Sequence, residues 1–241
     1  MKNLLLTMAI VMSLRLVDAQ QYSIPFKNSD QLSIRINMKK SNVKIIGSAG
    51  SAIKIMVVDD KYQPSNSGTT ADSTGIDLNI HLEGQTLSIK KISEADKSYM
   101  ISLPNGVSLY YEEEFREPKQ LEIDNMAGSL EVKTWVSKIM LVNNTGPITA
   151  SSAAADIFVS YADDASIKPG SFISEGRLVD IKLPGNVKAD INADAIAGPF
   201  HSDFNDKITK SESDGEQHIT CKLNGGGPKL YIKAHTIMLR K

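Results

Sequence analysis

Four histidines are the residues of this 241-residue chain best suited to metal binding, at positions 81, 201, 218 and 235. None forms a His-x-His or His-x-x-x-His pair, the spacings that put two imidazoles on one face of an element. His201, Asp203 and Asp206 form the one compact group of histidine and carboxylates, and it lacks the spacing of a calcium loop. We interpret it as a solvated turn, and the sequence predicts no metal site and no cofactor.

The single cysteine, Cys221, has no partner for an internal disulfide. It alternates with Ile219 and Leu223 and therefore shares the apolar face of a strand, whereas His218 points to the opposite face. A buried, inert thiol is expected.

The glycine-rich residues 225–228 (GGGP) do not match a phosphate-binding loop. Such a loop presents backbone N–H groups ahead of a helix, whereas Pro228 removes a donor and the following residues alternate as a strand. The motif predicts a tight turn between strands.

Composition excludes two classes of protein. Apolar residues make up 41% of the chain, and 27 basic residues face 28 acidic ones for a net charge of −1. Intrinsic disorder combines low hydrophobicity with high net charge, and a nucleic-acid binder carries a basic field. The sequence predicts a folded protein that does not bind nucleic acid.

The first residues are typical of a secretory signal peptide. Lys2 precedes an apolar run at residues 4–14, and Val17 and Ala19 suit a cleavage site after residue 19. The run is shorter than the roughly 20 residues that span a bilayer, which disfavours the alternative of an uncleaved anchor. We predict a signal peptide at 1–19, no transmembrane segment after its removal, and export to the periplasm or cell surface.

Alternation of apolar and polar residues recurs along the chain and predicts an all-β fold. The alternating apolar positions are 32–38, 53–57, 76–82, 179–183 and 230–232. We see no linker composition, so a single domain is expected over residues 21–241. The polar residues 63–74 read as a loop, and the acidic residues 112–114 as a solvated bend.

The spacing of these strands favours a solenoid. Leu121 and Ile123 recur as Ile139 and Leu141, a shift of 18 residues, with asparagine and glycine at the corners. Near the N-terminus the apolar pair at 34 and 36 recurs at 53 and 55, a shift of 19. A period near 20 is typical of a single-stranded β-helix. The alternative is a β-sandwich, with hairpin turns at Asn105-Gly106 and Asn224-Gly225.

The same period disfavours an enzyme. Cleavage of a polysaccharide needs two carboxyl groups about 5 to 10 Å apart. Stacking of successive turns would place Asn125 beside Asn143 and Asp124 beside Val142, so no pair of acids forms there. We also find no Ser/His/Asp set. The sequence predicts no catalytic residues.

Aromatic residues offer the clearest binding candidates. Tyr99, Tyr110, Tyr111 and Phe115 are close in sequence, and the adjacent tyrosines point to opposite faces of one strand. An outward ring could bind a sugar or a protein, whereas inward rings would cap the open end of the core. Trp135, where a strand ends, is expected to pack in the core or to cap it.

Several segments resemble the bacterial putative-adhesin domain of unknown function, a family of exported single-stranded β-helix proteins. They are residues 101–107 (ISLPNGV), 121–134, 183–190 (LPGNVKAD), 198–204 (GPFHSDF) and 224–230 (NGGGPKL). The resemblance covers roughly residues 30–241, and departs from the family at 163–176 and 234–236. It implies an exported, right-handed β-helix, but the word adhesin carries little information on function.

Three functions compete. The first is an exported, non-enzymatic envelope protein whose extended surface binds a glycan or an envelope protein. The second is a periplasmic structural or stress-related scaffold that binds a protein through exposed strand edges. A polysaccharide-active enzyme is the third, and it requires an acid cluster that the sequence does not reveal.

Overall fold

The computed structural model describes residues 21–25, 32–58, 76–113, 117–213 and 215–241. The predicted signal peptide at 1–19, the predicted loop at 63–74 and Phe115 lie outside these ranges. The described residues form 21 β-strands and no α-helix. This part of the chain accordingly has no helix that could cross a membrane.

Strands are numbered along the chain and form two sheets. Sheet A contains β1 (Gln21–Pro25), β3 (Ser41–Ser48), β4 (Ala52–Val57), β7 (Lys97–Pro104), β9 (Gln120–Asp124), β11 (Lys138–Val142), β13 (Ile157–Ser160), β15 (Leu178–Lys182), β17 (Phe200–Ser202) and β21 (Thr236–Arg240). Sheet B contains β2 (Ser33–Met38), β5 (Leu78–Glu83), β6 (Thr86–Lys91), β8 (Ser108–Glu113), β10 (Leu130–Thr134), β12 (Ile148–Ser152), β14 (Gly170–Ser174), β16 (Ala189–Ile196), β18 (Ile208–Ser213), β19 (Glu216–Leu223) and β20 (Lys229–Ala234).

The middle of the chain passes back and forth between the two sheets. Neighbours in sheet A run β9-β11-β13-β15, and neighbours in sheet B run β8-β10-β12-β14, all of them parallel. Leu121 pairs with Ile139, which pairs with Ile157, so the 18-residue repeat is confirmed. Inward residues of both sheets fill one apolar core.

Antiparallel pairs interrupt this order towards both ends of the chain. They join β1 to β4, β4 to β7, β5 to β6, β16 to β19 and β18 to β19. The 19-residue repeat is therefore wrong: Ile34 lies on β2 of sheet B, whereas Ile53 lies on β4 of sheet A and runs antiparallel to its neighbours. Alternation of apolar and polar residues identifies a half-buried strand, but it does not identify the strand with which it pairs.

The all-β prediction is confirmed as two large mixed sheets around one core. Most alternating apolar residues are buried, but Leu82 is 48% exposed. It lies near the end of β5, which is one of the two edge strands of sheet B among the described residues. This two-layer arrangement is also compatible with the sandwich-like alternative.

The corner after β9 and β11 is shaped by asparagine and glycine. Asn125 and Asn143 adopt left-handed backbone angles, with φ of 59° and 53°, as expected for corner residues. A Cβ added to Gly146 would lie 2.0 Å from the carbonyl oxygen of Gly128, so the corners stack too closely for any side chain there.

Successive corners are joined by the amide of Asn144, which is 2% exposed. Its Oδ1 accepts a hydrogen bond from the Met126 backbone N–H at 2.8 Å, and its Nδ2 donates to the Ile123 carbonyl at 2.7 Å. The sequence led us to expect a ladder of Asn125 and Asn143, but both are exposed and the buried amide is one residue later.

A lysine is buried at the N-terminal part of the fold. Lys91 has 0% exposed surface, and its Nζ lies 2.9 Å from the Lys39 carbonyl, 3.2 Å from the Lys40 carbonyl and 2.9 Å from the Ser41 hydroxyl. It also donates to the Ala95 carbonyl. The ammonium thus joins the turn after β2 to the segment after β6. Burial lowers the pKa of Lys91 to about 8.

The Asn144 amide predicts a large effect of its removal. Asn144→Ala leaves the buried Met126 N–H without its partner and removes one hydrogen bond to the Ile123 carbonyl, and we expect the free energy of unfolding to fall by about 1–3 kcal/mol. Asn143→Gly is the matched control, because glycine accepts a positive φ without strain, and should change stability by about 0.5 kcal/mol or less. Urea unfolding of both variants measures the difference, and equal losses would contradict the assignment.

Lys91 predicts a pH dependence of stability. Between about pH 8 and its ordinary pKa of 10.5, the unfolded chain binds the lysine proton more tightly than the folded chain. Stability therefore increases with pH in this window. Relative to Lys91→Met, which cannot titrate, the wild-type free energy of unfolding should rise by about 1.4 kcal/mol per pH unit. Urea unfolding across the window tests this, and a flat or falling difference would contradict the lowered pKa.

Candidate functional site

The predicted tyrosine cluster separates into buried and exposed rings. Tyr99 and Tyr111 are 1% and 3% exposed and belong to the core, and the Tyr99 hydroxyl donates to the Ile76 carbonyl at 3.2 Å. Tyr110 lies on the outer face of sheet B, so the prediction that the adjacent tyrosines face opposite sides is confirmed.

A groove of about 560 Å³ crosses the outer face of sheet B beside Tyr110. It spans the adjacent strands β2, β8, β10, β12 and β14, and therefore runs across the strands. Side chains at equivalent positions of successive strands form its walls. One wall consists of Ser33, Ser108, Ser129, Pro147 and Pro169, and the other of Arg35, Tyr110, Glu131, Thr149 and Ser171.

Tyr110 is held by charged neighbours on both adjacent strands. The Arg35 guanidinium lies 4.7 Å from the ring centroid, and the Lys133 ammonium lies 5.2 Å from it. The Tyr110 hydroxyl donates to Glu112 at 3.1 Å. Burial, followed by this hydrogen bond, raises the pKa of Tyr110, so the phenol remains a hydrogen-bond donor.

Charges along the groove are matched locally. Lys133 forms a 2.7 Å ion pair with Glu131, and the hydrogen bond between them raises the pKa of Lys133. The Ser129 hydroxyl donates to the Ser108 hydroxyl at 2.9 Å. The groove therefore offers hydroxyl groups, an ordered aromatic ring and compensated charges. Its lining contains a single carboxylate, that of Glu131.

The other end of sheet B carries a second polar cluster. His218 Nδ1 lies 2.7 Å from Asp194 Oδ1, and the Tyr231 hydroxyl donates to Asp194 Oδ2 at 2.8 Å. Burial alone would raise the pKa of Asp194, but these hydrogen bonds outweigh it and hold the pKa below its usual range. Ser211 pairs with His218 in register. Both Asp194 oxygens are engaged, so the cluster ties β16 to β19 and β20.

Sequence reasoning did not find this cluster. Asp194 and His218 are 24 residues apart and lie on antiparallel strands, where no local motif relates them. The structure also places His201, Asp203 and Asp206 in separate contacts: Asp203 accepts from the Lys241 N–H at 3.4 Å, and Asp206 from the Asn224 N–H at 3.1 Å. Among the described residues, no group of three or more His, Cys, Asp or Glu could hold a metal ion.

Cys221 and the glycine-rich motif lie where the sequence placed them. Cys221 is buried on the inner face of β19, and burial raises the pKa of its thiol. Gly225 and Gly226, with φ of 90° and 91°, form the turn between β19 and β20. The buried position of Cys221 and the turn at the glycines are confirmed.

Of the two alternatives expected for Trp135, packing in the core is wrong, because 43% of its surface is exposed. It occupies the corner between β10 and β11. Its backbone N–H donates to Glu113 Oε2 at 3.0 Å, and its carbonyl accepts from Ala154 N–H at 2.9 Å. Glu113, expected in a solvated bend, is buried and also accepts from Ser137. The corner is thus fixed while the indole contacts solvent.

On the outer face of sheet A, two carboxylates share one lysine. Lys44 Nζ lies 2.6 Å from Glu122 and 3.1 Å from Asp124. Asp124 pairs in register with Val142, as the 18-residue period predicted. Its Oδ1 is buried without a hydrogen-bond partner, and burial, followed by lesser effects that include the charge of Glu122, raises its pKa.

Comparisons with known proteins give structural neighbours only. No family model and no curated protein matches the chain. A putative cell adhesion protein from Clostridium sporogenes overlaps with 92% of this chain and 99% of its own, at a TM-score of 0.47 and 11% identity. A putative adhesin from Bacteroides fragilis overlaps with 92% and 96%, at a TM-score of 0.29 and 10% identity.

Proposed function

We propose that this chain is an exported, non-enzymatic protein of the cell envelope that binds its partner through the groove across sheet B. One observation carries the proposal: a groove of about 560 Å³ on the outer face of sheet B is lined by hydroxyls and by Tyr110, the outward member of the tyrosine pair singled out in the sequence. Exposed aromatic and hydroxyl groups on a rigid sheet are suited to binding.

The architecture that we propose is one domain over residues 21–241, built on a right-handed single-stranded β-helix and preceded by a signal peptide at 1–19. Support for the β-helix comes from the parallel, in-register pairing of strands that alternate between the sheets. The handedness and the export follow from the family resemblance and from the N-terminal residues.

Contacts in the groove support binding rather than catalysis. Glycoside cleavage uses two carboxyl groups, one on each side of the bond. Glu131 is the one carboxylate that lines the groove, and it is already paired with Lys133 at 2.7 Å. A displayed surface needs no such pair, and its ligand would be a glycan or another envelope protein.

A second candidate function is that of a periplasmic scaffold that binds a protein along a strand edge. The observation in its favour is β5, an edge strand of sheet B that carries the exposed Leu82. An edge strand can accept a further strand. The charged outer edge strand β18, with Lys210 and Glu212 exposed, is less suited to such pairing.

The groove can be tested by blocking it. Thr149→Lys places a long charged side chain between Tyr110 and Ser171, and we expect binding of the labelled full chain to isolated cell envelopes to fall about tenfold or more. Thr220→Lys is the matched control, because Thr220 is exposed on β19 of the same sheet but outside the groove. Equal envelope binding by the two variants would contradict the proposal.

Display on the cell surface is tested with protease. We expect protease added to intact cells to degrade the protein while a periplasmic marker survives. If the protein persists until the outer membrane is broken, surface display is wrong and the periplasmic scaffold is favoured.

A further inference from the structure

We infer that the groove across sheet B binds a linear, uncharged glycan that lies across the strands, an inference that rests on the proposed function. The first argument is direction. The groove crosses five adjacent parallel strands from β2 to β14. Strands are about 4.8 Å apart, which gives a track of about 19 Å on which the same wall positions recur at each strand.

This recurrence suits a chain of sugar rings better than a peptide. A pyranose ring is similar in length to the spacing of the strands, so each ring meets one strand. An extended peptide rises about 3.3 Å per residue, so its residues do not match the spacing of about 4.8 Å between strands. A peptide also needs partners for its backbone, and the central strands already use their backbone groups to pair with each other.

The chemistry of the walls matches sugar hydroxyls. Ser33, Ser108 and Ser129 follow each other on one wall, and Thr149 and Ser171 lie on the other. A serine or threonine hydroxyl both donates and accepts, as does a sugar hydroxyl.

Apolar surface is present as well. Pro147 and Pro169 are exposed on the serine wall, and the Tyr110 ring is held in place by Arg35 at 4.7 Å. Such surfaces pack against the C–H faces of sugar rings. The Tyr110 hydroxyl donates its proton to Glu112 at 3.1 Å, and its oxygen can still accept a hydrogen bond from a sugar hydroxyl.

The balance of charge selects against an acidic polymer. Arg35 and Lys133 are the cations beside Tyr110, and the carboxylates Glu112 and Glu131 lie beside them. Lys133 is paired with Glu131 at 2.7 Å. Two positive and two negative groups leave no net positive field along the groove, which a polyanion would require.

The test is titration of the purified full chain with linear hexasaccharides, followed by calorimetry. The probes are uncharged β-1,4-linked hexamers of glucose and of N-acetylglucosamine, the corresponding monosaccharides, and an acidic hexamer of galacturonate. We expect at least one uncharged hexamer to bind about tenfold or more tightly than its monosaccharide, because the track is several rings long. The acidic hexamer should bind more weakly.

Groove variants locate the binding. Thr149→Lys should lower the affinity for the uncharged hexamer about tenfold or more, whereas Thr220→Lys should leave it unchanged. Thermal unfolding of both variants checks that they fold. The inference is overturned if no uncharged hexamer binds, if the monosaccharide binds as tightly as the hexamer, if the acidic hexamer binds best, or if Thr149→Lys binds like Thr220→Lys.

The experiments distinguish failure of the groove as the binding site from failure of the glycan as its ligand. If Thr149→Lys loses envelope binding but no uncharged hexamer binds, the groove remains the binding site and the glycan is wrong. If Thr149→Lys keeps envelope binding, the groove itself is wrong.

Discussion

The fold depends on stacking backbone corners at the spacing of hydrogen-bonded strands. Parallel neighbours stay in register only if every corner brings the chain to the next level by the same amount. Gly146 shows how little room this leaves, since an added Cβ would lie 2.0 Å from the Gly128 carbonyl oxygen. The close approach leaves the Met126 N–H at the corner to a side-chain partner: Asn144 accepts from it and also donates to the Ile123 carbonyl at the end of β9. The 18-residue repeat is the trace of this constraint in the sequence.

The 18-residue repeat explains which features of the fold are predictable from the sequence. Alternation identified the strands, and the period placed Leu121 beside Ile139 because equal steps bring equal positions together. The same reasoning failed for Ile34 and Ile53, since an antiparallel strand also alternates with period two and nothing local identifies its partner. The core alternative for Trp135 was wrong because its corner is fixed by a backbone contact with the buried Glu113, whereas a large apolar side chain usually packs inside.

The candidate site was predictable only in part. Alternation indicated that Tyr110 or Tyr111 faces outward, but the groove beside Tyr110 is made of side chains from five strands. Its shape depends on which outward residues are short. On β12 and β14 these are Thr149 and Ser171, beside longer side chains on β2, β8 and β10. The pair of Asp194 and His218 had no sequence signal, because β19 reaches β16 through an antiparallel contact outside the period.

Stacking also restricts the charge that an outer face can carry. Like charges at equivalent positions of adjacent strands repel each other, so a row of one sign is unfavourable. Opposite charges pair on the outer faces, as in Lys44 with Glu122 at 2.6 Å, and Arg240, which lies opposite Lys182 in register, pairs with the buried Asp180 at 2.6 Å. Beside Tyr110, Lys133 lies opposite Glu112 in register and also pairs with Glu131 on its own strand. A groove on such a face therefore has little net charge. It must contact its ligand through hydroxyl groups and the surfaces of rings. The in-register stacking of parallel strands therefore also favours an uncharged ligand in this groove.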